Sequence, residues 1–162
     1  MRWVSHMKMK LERTPRILFW FALVWNLALA GCVSVHLIAD YDAKLDAGVT
    51  ELQRKTETFL VKLERAGPKP EGRYEANLAF YDEVKVDLSA LQVRADSVAL
   101  NKQTSEQLSL LRDSFNQMEK IHSEKGTLSP LVIAETRKQL NHQFTAILTL
   151  EVAKKDRLSS KE

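Results

Sequence analysis

The strongest constraint on this chain is a spacing. Tyr74, Leu78, Tyr81, Val84, Leu88, Leu91, Ala95 and Val98 follow one another at steps of 4, 3, 3, 4, 3, 4 and 3. A mean step of about 3.4 residues belongs to the seam of packed helices, not to the period of two that a half-buried strand requires. A helix with one apolar stripe must bury it against neighbours. The rest of the chain supplies them. From Ile38 to Leu63, apolar residues stand at 38, 41, 45, 49, 52, 59, 60 and 63, with Thr56 in the remaining slot. Gly67-Pro68-Lys69-Pro70-Glu71-Gly72 ends that helix, because two prolines and two glycines cannot continue it.

Two further helices follow. Leu108, Leu111, Phe115, Met118 and Ile121 mark the third, which ends around Gly126. Asn101 reads as the C-cap of the second helix, and Thr104 with Gln107 as a capping box for the third, although the two helices could also run on as one. Ser129 as N-cap, Pro130 as first helical residue and Leu128 with Ile133 as a hydrophobic staple open the fourth. Ile133, Leu140, Phe144, Ile147 and Leu150 form its apolar face, and Glu151 with Lys155 supports its last turn. Short connections favour antiparallel neighbours, so the expected fold is all-α: an up-down four-helix bundle over residues 39–155, with a polar tail at 156–162. A helical hairpin that completes its bundle by dimerising is the alternative.

The first thirty-two residues read differently. Arg2, Lys8, Lys10, Arg13 and Arg16 precede a fourteen-residue apolar run from Ile17 to Ala30 in which Asn26 is the sole polar side chain. A basic segment, a short apolar segment and small residues after it compose an export signal. Leu29-Ala30-Gly31-Cys32 resembles the lipobox of bacterial lipoprotein precursors at all four positions. The resemblance covers only the N-terminal fifth of the chain. It implies that residues 1–31 are a signal peptide cut between Gly31 and Cys32, and that the Cys32 sulfur carries diacylglycerol, with the new amine acylated. Residues 32–38 would then be the lipidated cysteine and a short tether. The chain holds one cysteine, so neither an intrachain disulfide nor a Cys-based zinc site competes for it. In an alternative reading the apolar run extends through Ala39, and residues 17–39 form an uncleaved transmembrane anchor. In either case the rest of the chain is exported. Val33, where lipoproteins held at the inner membrane commonly carry Asp, implies the outer membrane.

Removing the signal changes the charge. The whole chain carries +3, but five of its 24 basic and one of its 21 acidic residues lie in 1–31, leaving 19 and 20 and a net charge of −1. The exported part therefore lacks the basic footprint of a nucleic-acid binder.

Candidate chemical sites are few. Glu119-Lys120-Ile121-His122 has the Glu-x-x-His spacing of bundle metal sites, but there is no second copy, and His122 near a helix end is expected to meet terminal carbonyls instead. Tyr41, Tyr74 and Tyr81 could contact a ligand or partner, yet all three fall on apolar seams, where core packing with a partnered hydroxyl is expected. Asp40, Asp42 and Asp46 suit a helix N-terminus. No nucleophile elbow or glycine-rich phosphate loop occurs, and no cofactor is expected. The expectation is thus a non-catalytic, lipid-anchored periplasmic bundle with a structural or adaptor role, bound to an envelope protein, with homo-oligomerisation left open. A small-molecule-sensing bundle is the alternative. Intact mass of membrane-extracted protein tests the anchor: the chain should begin at Cys32 and carry acyl mass, and Cys32→Ser should abolish both changes.

Overall fold

A computed structural model describes residues 38–160 of the chain. The signal peptide, its cleavage point at Gly31 and Cys32, the lipidation at Cys32, and nearly all of the 17–39 and 32–38 segments lie outside the described residues. Four α-helices make up the described part: α1 (Ala43–Ala66), α2 (Leu78–Asp96), α3 (Lys102–Lys125) and α4 (Pro130–Ser159). Two 3-10 turns, Pro70–Gly72 and Tyr74–Asn77, link α1 to α2. No strand occurs among the described residues, and no helix among them is long and apolar enough to cross a membrane.

Each helix boundary has a local cause. α1 begins five residues later than its apolar spacing predicts, because Asp42 is the N-cap and accepts from the amides of Lys44 and Leu45 at 2.9 and 3.2 Å. Ile38 to Asp42 instead crosses the end of the helices as a strap. The Ala39 amide donates to the Leu100 carbonyl at 3.2 Å, and the Arg157 guanidinium donates to the carbonyls of Ile38 and Ala39 at 2.9 and 3.1 Å. At the far end α1 stops at Gly67, whose φ of 55° lies in the left-handed region. Gly72 is required for a different reason: a Cβ there would meet the Gly67 carbonyl at 2.3 Å.

The turn at Ser97 to Asn101 separates α2 from α3, so they are two helices. Asn101 is not the C-cap of α2 but the N-cap residue of α3, and its side-chain amide donates back to the Ala95 carbonyl at 3.1 Å. Thr104 caps nothing; its hydroxyl is drawn into the interior. Leu78, expected on the seam, is exposed at the first residue of α2, because the 3-10 turn before it shifts the register. Ser129 does cap α4, accepting from the Val132 amide at 3.3 Å. α4 continues through Ser159 where a frayed tail from 156 was expected, since Arg157 is held by the strap.

The core follows the predicted stripes. Leu45, Val49, Leu52, Leu60 and Leu63 of α1 meet Tyr81, Val84, Leu88 and Ala95 of α2, Leu108, Leu111, Phe115 and Met118 of α3, and Ile133, Leu140, Phe144 and Ile147 of α4. α1 packs against α2 and α4, and α3 packs against the same two helices. Ion pairs fix the register outside the core: Lys55 with Asp87 at 2.7 Å, and Arg137 with Glu57 and Glu64 at 2.8 and 2.7 Å.

The charged residues near the end of α4 also depart from the predicted pattern. Glu151 does not pair with Lys155 on the surface. Glu151 and Lys154 are both buried and form an ion pair with each other. The Lys154 ammonium also donates to Asn101 Oδ1 at 2.6 Å and Thr104 Oγ1 at 2.8 Å, and Thr104 donates to Glu151 Oε1 at 3.2 Å. Removing one member of a buried ion pair strands the other charge and costs about 3–5 kcal/mol. Lys154→Met should therefore lower the unfolding free energy, measured by urea titration, by about that amount. The double variant Glu151→Leu/Lys154→Met should recover most of the loss, because neither charge then remains buried.

Candidate functional site

Four of the residues singled out in the sequence converge on the end of the molecule where α1 leads into α2. Tyr81 lies on the inner face of α2, His122 in the last turn of α3, and Tyr74 in the 3-10 turn ahead of α2. Glu119, one turn before His122, faces the same side. The fifth, Tyr41, lies at the opposite end, ahead of the α1 N-cap and off the apolar seam. Its hydroxyl donates to Asp46 at 2.8 Å, and Lys155 sits 5.6 Å above its ring.

The buried centre of this cluster is a relay across two helices and a loop. His122 Nε2 lies 2.9 Å from the Gly72 carbonyl, and Nδ1 lies 2.7 Å from the Tyr81 hydroxyl. A carbonyl only accepts, so Nε2 carries the proton and donates to it. Nδ1 is then the acceptor for the Tyr81 O–H. This corrects the expectation that His122 would meet carbonyls at its own helix end: a bonded loop carbonyl and a tyrosine hydroxyl from α2 claim both nitrogens. The absence of a Cβ at Gly72 lets the loop fold back against Gly67 and Ala66.

Aromatic packing surrounds the relay. Tyr74 and Tyr81 stand 5.7 Å apart, Tyr81 meets Phe59 edge-on at 5.7 Å, and Phe80 lies stacked on Phe59. The rings of Tyr74 and Tyr81 thus pack against each other and against their aromatic neighbours. At the rim, Glu119 accepts from the Tyr74 hydroxyl at 3.1 Å and from Lys85 at 2.8 Å. Glu119 and His122 do not share a ligand position, because Glu119 is drawn toward α2 and His122 toward the loop. No group of three or more His, Cys, Asp or Glu side chains among the described residues converges to hold a metal ion.

Burial holds the His122 imidazole below its ordinary pKa, with the Gly72 hydrogen bond and Glu75 opposing the shift. Burial likewise pushes the Tyr81 phenol up, with Glu119 and Tyr74 acting in the same direction. Both groups are therefore neutral at pH 7. The buried relay fixes a loop to two helices, and its two side chains hydrogen-bond each other and the loop rather than a ligand.

The exposed surface offers a different kind of site, one the sequence pattern concealed. Val86 and Val93 on the outer face of α2 are 68% and 67% exposed. With Ser89, Ala90 and the stem of Lys85 they line an open, largely apolar depression. The seven-residue interval between the two valines and the small side chains between them leave room for a second helix to approach closely. The signal was present in the sequence as a second apolar stripe on α2, but the stronger core stripe overshadowed it. A further open groove of about 810 Å³ runs along α1, lined by Arg54, Thr58, Val61, Lys62 and Arg65 among others.

The His122 pKa shift has a pH consequence. Its folded pKa lies below the unfolded value of about 6.5, so the unfolded state takes up the proton first as pH falls. Stability is complete above about pH 6.5 and is lost progressively as pH drops toward the folded pKa. The urea midpoint should fall between pH 7.5 and 5.5. His122→Gln, which can still donate and accept but does not titrate, should flatten that dependence. No protein-family model, no curated protein and no solved structure matches this chain.

Proposed function

We propose that this chain is a lipid-anchored periplasmic lipoprotein, held through Cys32, whose mature part is an up-down four-helix bundle. In this reading it works without catalysis, as a structural or adaptor module that binds an envelope protein. The lipobox supports the anchor, and Val33 favours the outer membrane. The antiparallel ion pairs that join α1 to α2 and to α4 support the bundle arrangement.

The observation that carries the binding role is the outer strip of α2. Apolar side chains left two-thirds exposed at helical intervals, around small residues, form the helix-in-groove type of contact in reverse: this helix supplies one face and the partner the other. Asp82 and Lys85 border the strip with opposite charges, and Glu83 is paired with Lys55 at 3.3 Å, so the apolar face rather than net charge selects the partner in this reading. The buried polar groups, by contrast, spend their hydrogen bonds on one another. The sensing alternative draws its support from the α1 groove, whose volume suits a small ligand; the packed tyrosines give it none.

A photo-crosslinking residue placed at Val86 or Val93 in living cells tests the adaptor role. A discrete adduct should form from both positions, be absent from Leu131 on α4, and disappear when Ala90→Glu is added. Equal adducts from all three positions, or none from α2, would sink this reading. A small molecule that raises the melting temperature through Arg65 would favour the sensor instead.

A further inference from the structure

The turn between α2 and α3 is unusual in composition and backbone. Its residues Val98, Ala99 and Leu100 are apolar, where polar residues are common. Leu100 has φ of 63°, in the left-handed region that Gly or Asn adopts at lower cost than leucine, and its side chain is 56% exposed. Its backbone has a clear task, since its carbonyl accepts from the Ala39 amide at 3.2 Å. Glycine would perform that task with less strain. The leucine side chain is not among those packed on the core.

The surroundings indicate what that side chain meets instead. Arg157 holds the carbonyls of Ile38 and Ala39, so the turn, the strap and the last turn of α4 form one end of the molecule. Leu158, next to Arg157, is 37% exposed, and Ala99 is exposed beside Leu100. The chain enters the fold at this same end. Cys32 is six residues from Ile38, and six residues span at most about 20 Å. The intervening Val33, Ser34, Val35, His36 and Leu37 include no proline or glycine spacer.

We infer that this end, through Ala99, Leu100 and Leu158, seats in the interface of the bilayer that anchors the chain. The inference rests on the membrane-anchor reading, and the 17–39 alternative brings the same end to the same surface. The exposed charges nearby balance, Lys44, Lys102 and Lys155 standing against Asp40, Asp96 and Asp156. The contact is therefore apolar, requires no anionic lipid and resists salt.

Depth-dependent fluorescence quenching tests it. Full-length protein, its acylation established by intact mass, is placed in phosphatidylcholine vesicles containing nitroxide-labelled lipid. A fluorophore is carried on Leu100→Cys, or on Leu131→Cys at the opposite end; if the chain proves unprocessed, both are made in a Cys32→Ser background. The Leu100 probe should be quenched several-fold more than the Leu131 probe, unchanged in 1 M salt. With the probe moved to Ala99→Cys, adding Leu100→Gly, which the backbone accepts, should reduce quenching. Equal quenching at both ends of a membrane-held chain overturns the seating and leaves the anchor standing. A chain that does not associate with the vesicles overturns both.

Discussion

One buried ammonium organises the end of the molecule where the chain enters. Lys154 has three N–H donors and spends them on three elements: Asn101 in the α2–α3 turn, Thr104 on α3 and Glu151 on α4. The other oxygen of Glu151 accepts from the Asp42 amide at 3.4 Å, and Asp42 both caps α1 and pairs with Arg94 of α2 at 2.7 Å. All four helices thus meet in one connected set of polar groups. An apolar core tolerates a shift of one helix against another, because one leucine substitutes for the next. A buried charge does not, since a slip would leave it unpaired at a cost of several kcal/mol. The network's main contribution is therefore register, with net stability supplied by the leucine-rich core.

The opposite end solves a similar problem without charge. The loop from Gly67 to Gly72 must close over the bundle, and its backbone carbonyls need donors. His122 provides one to Gly72 at 2.9 Å, and Tyr81 satisfies the remaining ring nitrogen. Asn77 completes the closure: its amide donates to the Glu71 and Arg73 carbonyls at 2.9 and 2.7 Å, and its oxygen accepts from Lys62. Tyr74, Tyr81, Glu119 and His122, each of which could have signalled chemistry, are together the fastening of a loop.

The helices and nearly all of the core were legible in the sequence, because an apolar stripe at steps of three and four marks a helix and the face it must bury. What stayed hidden depended on long-range partners. Glu151 and Lys154 look like surface residues, since their spacing fits an ordinary helical charge pair and nothing local says that Asn101 and Thr104 face them. The α1 start was misplaced because Ile38 and Tyr41 fit the helical spacing, while the strap is held by Arg157, more than a hundred residues away. His122 was read against its own helix end for the same reason. The convergence of the candidate residues could not be read from spacing, because it arises where the start of α2 lies beside the end of α3.

The two apolar features on which the proposed contacts rest lie on different parts of the bundle, and in that reading this restricts what the chain can bind. The Ala99–Leu100 turn is at an end of the bundle, whereas the Val86–Val93 strip runs along its flank. With that end seated on a bilayer, α2 stands away from the surface, Val93 nearer to it and Val86 farther. A helix of nineteen residues spans about 28 Å, so the whole strip lies within roughly that distance of the lipid. In this reading a partner helix that covers the strip lies alongside α2 at that height, and a protein held at the same membrane loses less orientational freedom in placing it there than a freely diffusing one. The proposed reading would then favour a partner whose own anchor or membrane-spanning part fixes its helix in the same orientation. Seating the end then lowers the orientational cost of docking the flank, because both proteins meet already aligned.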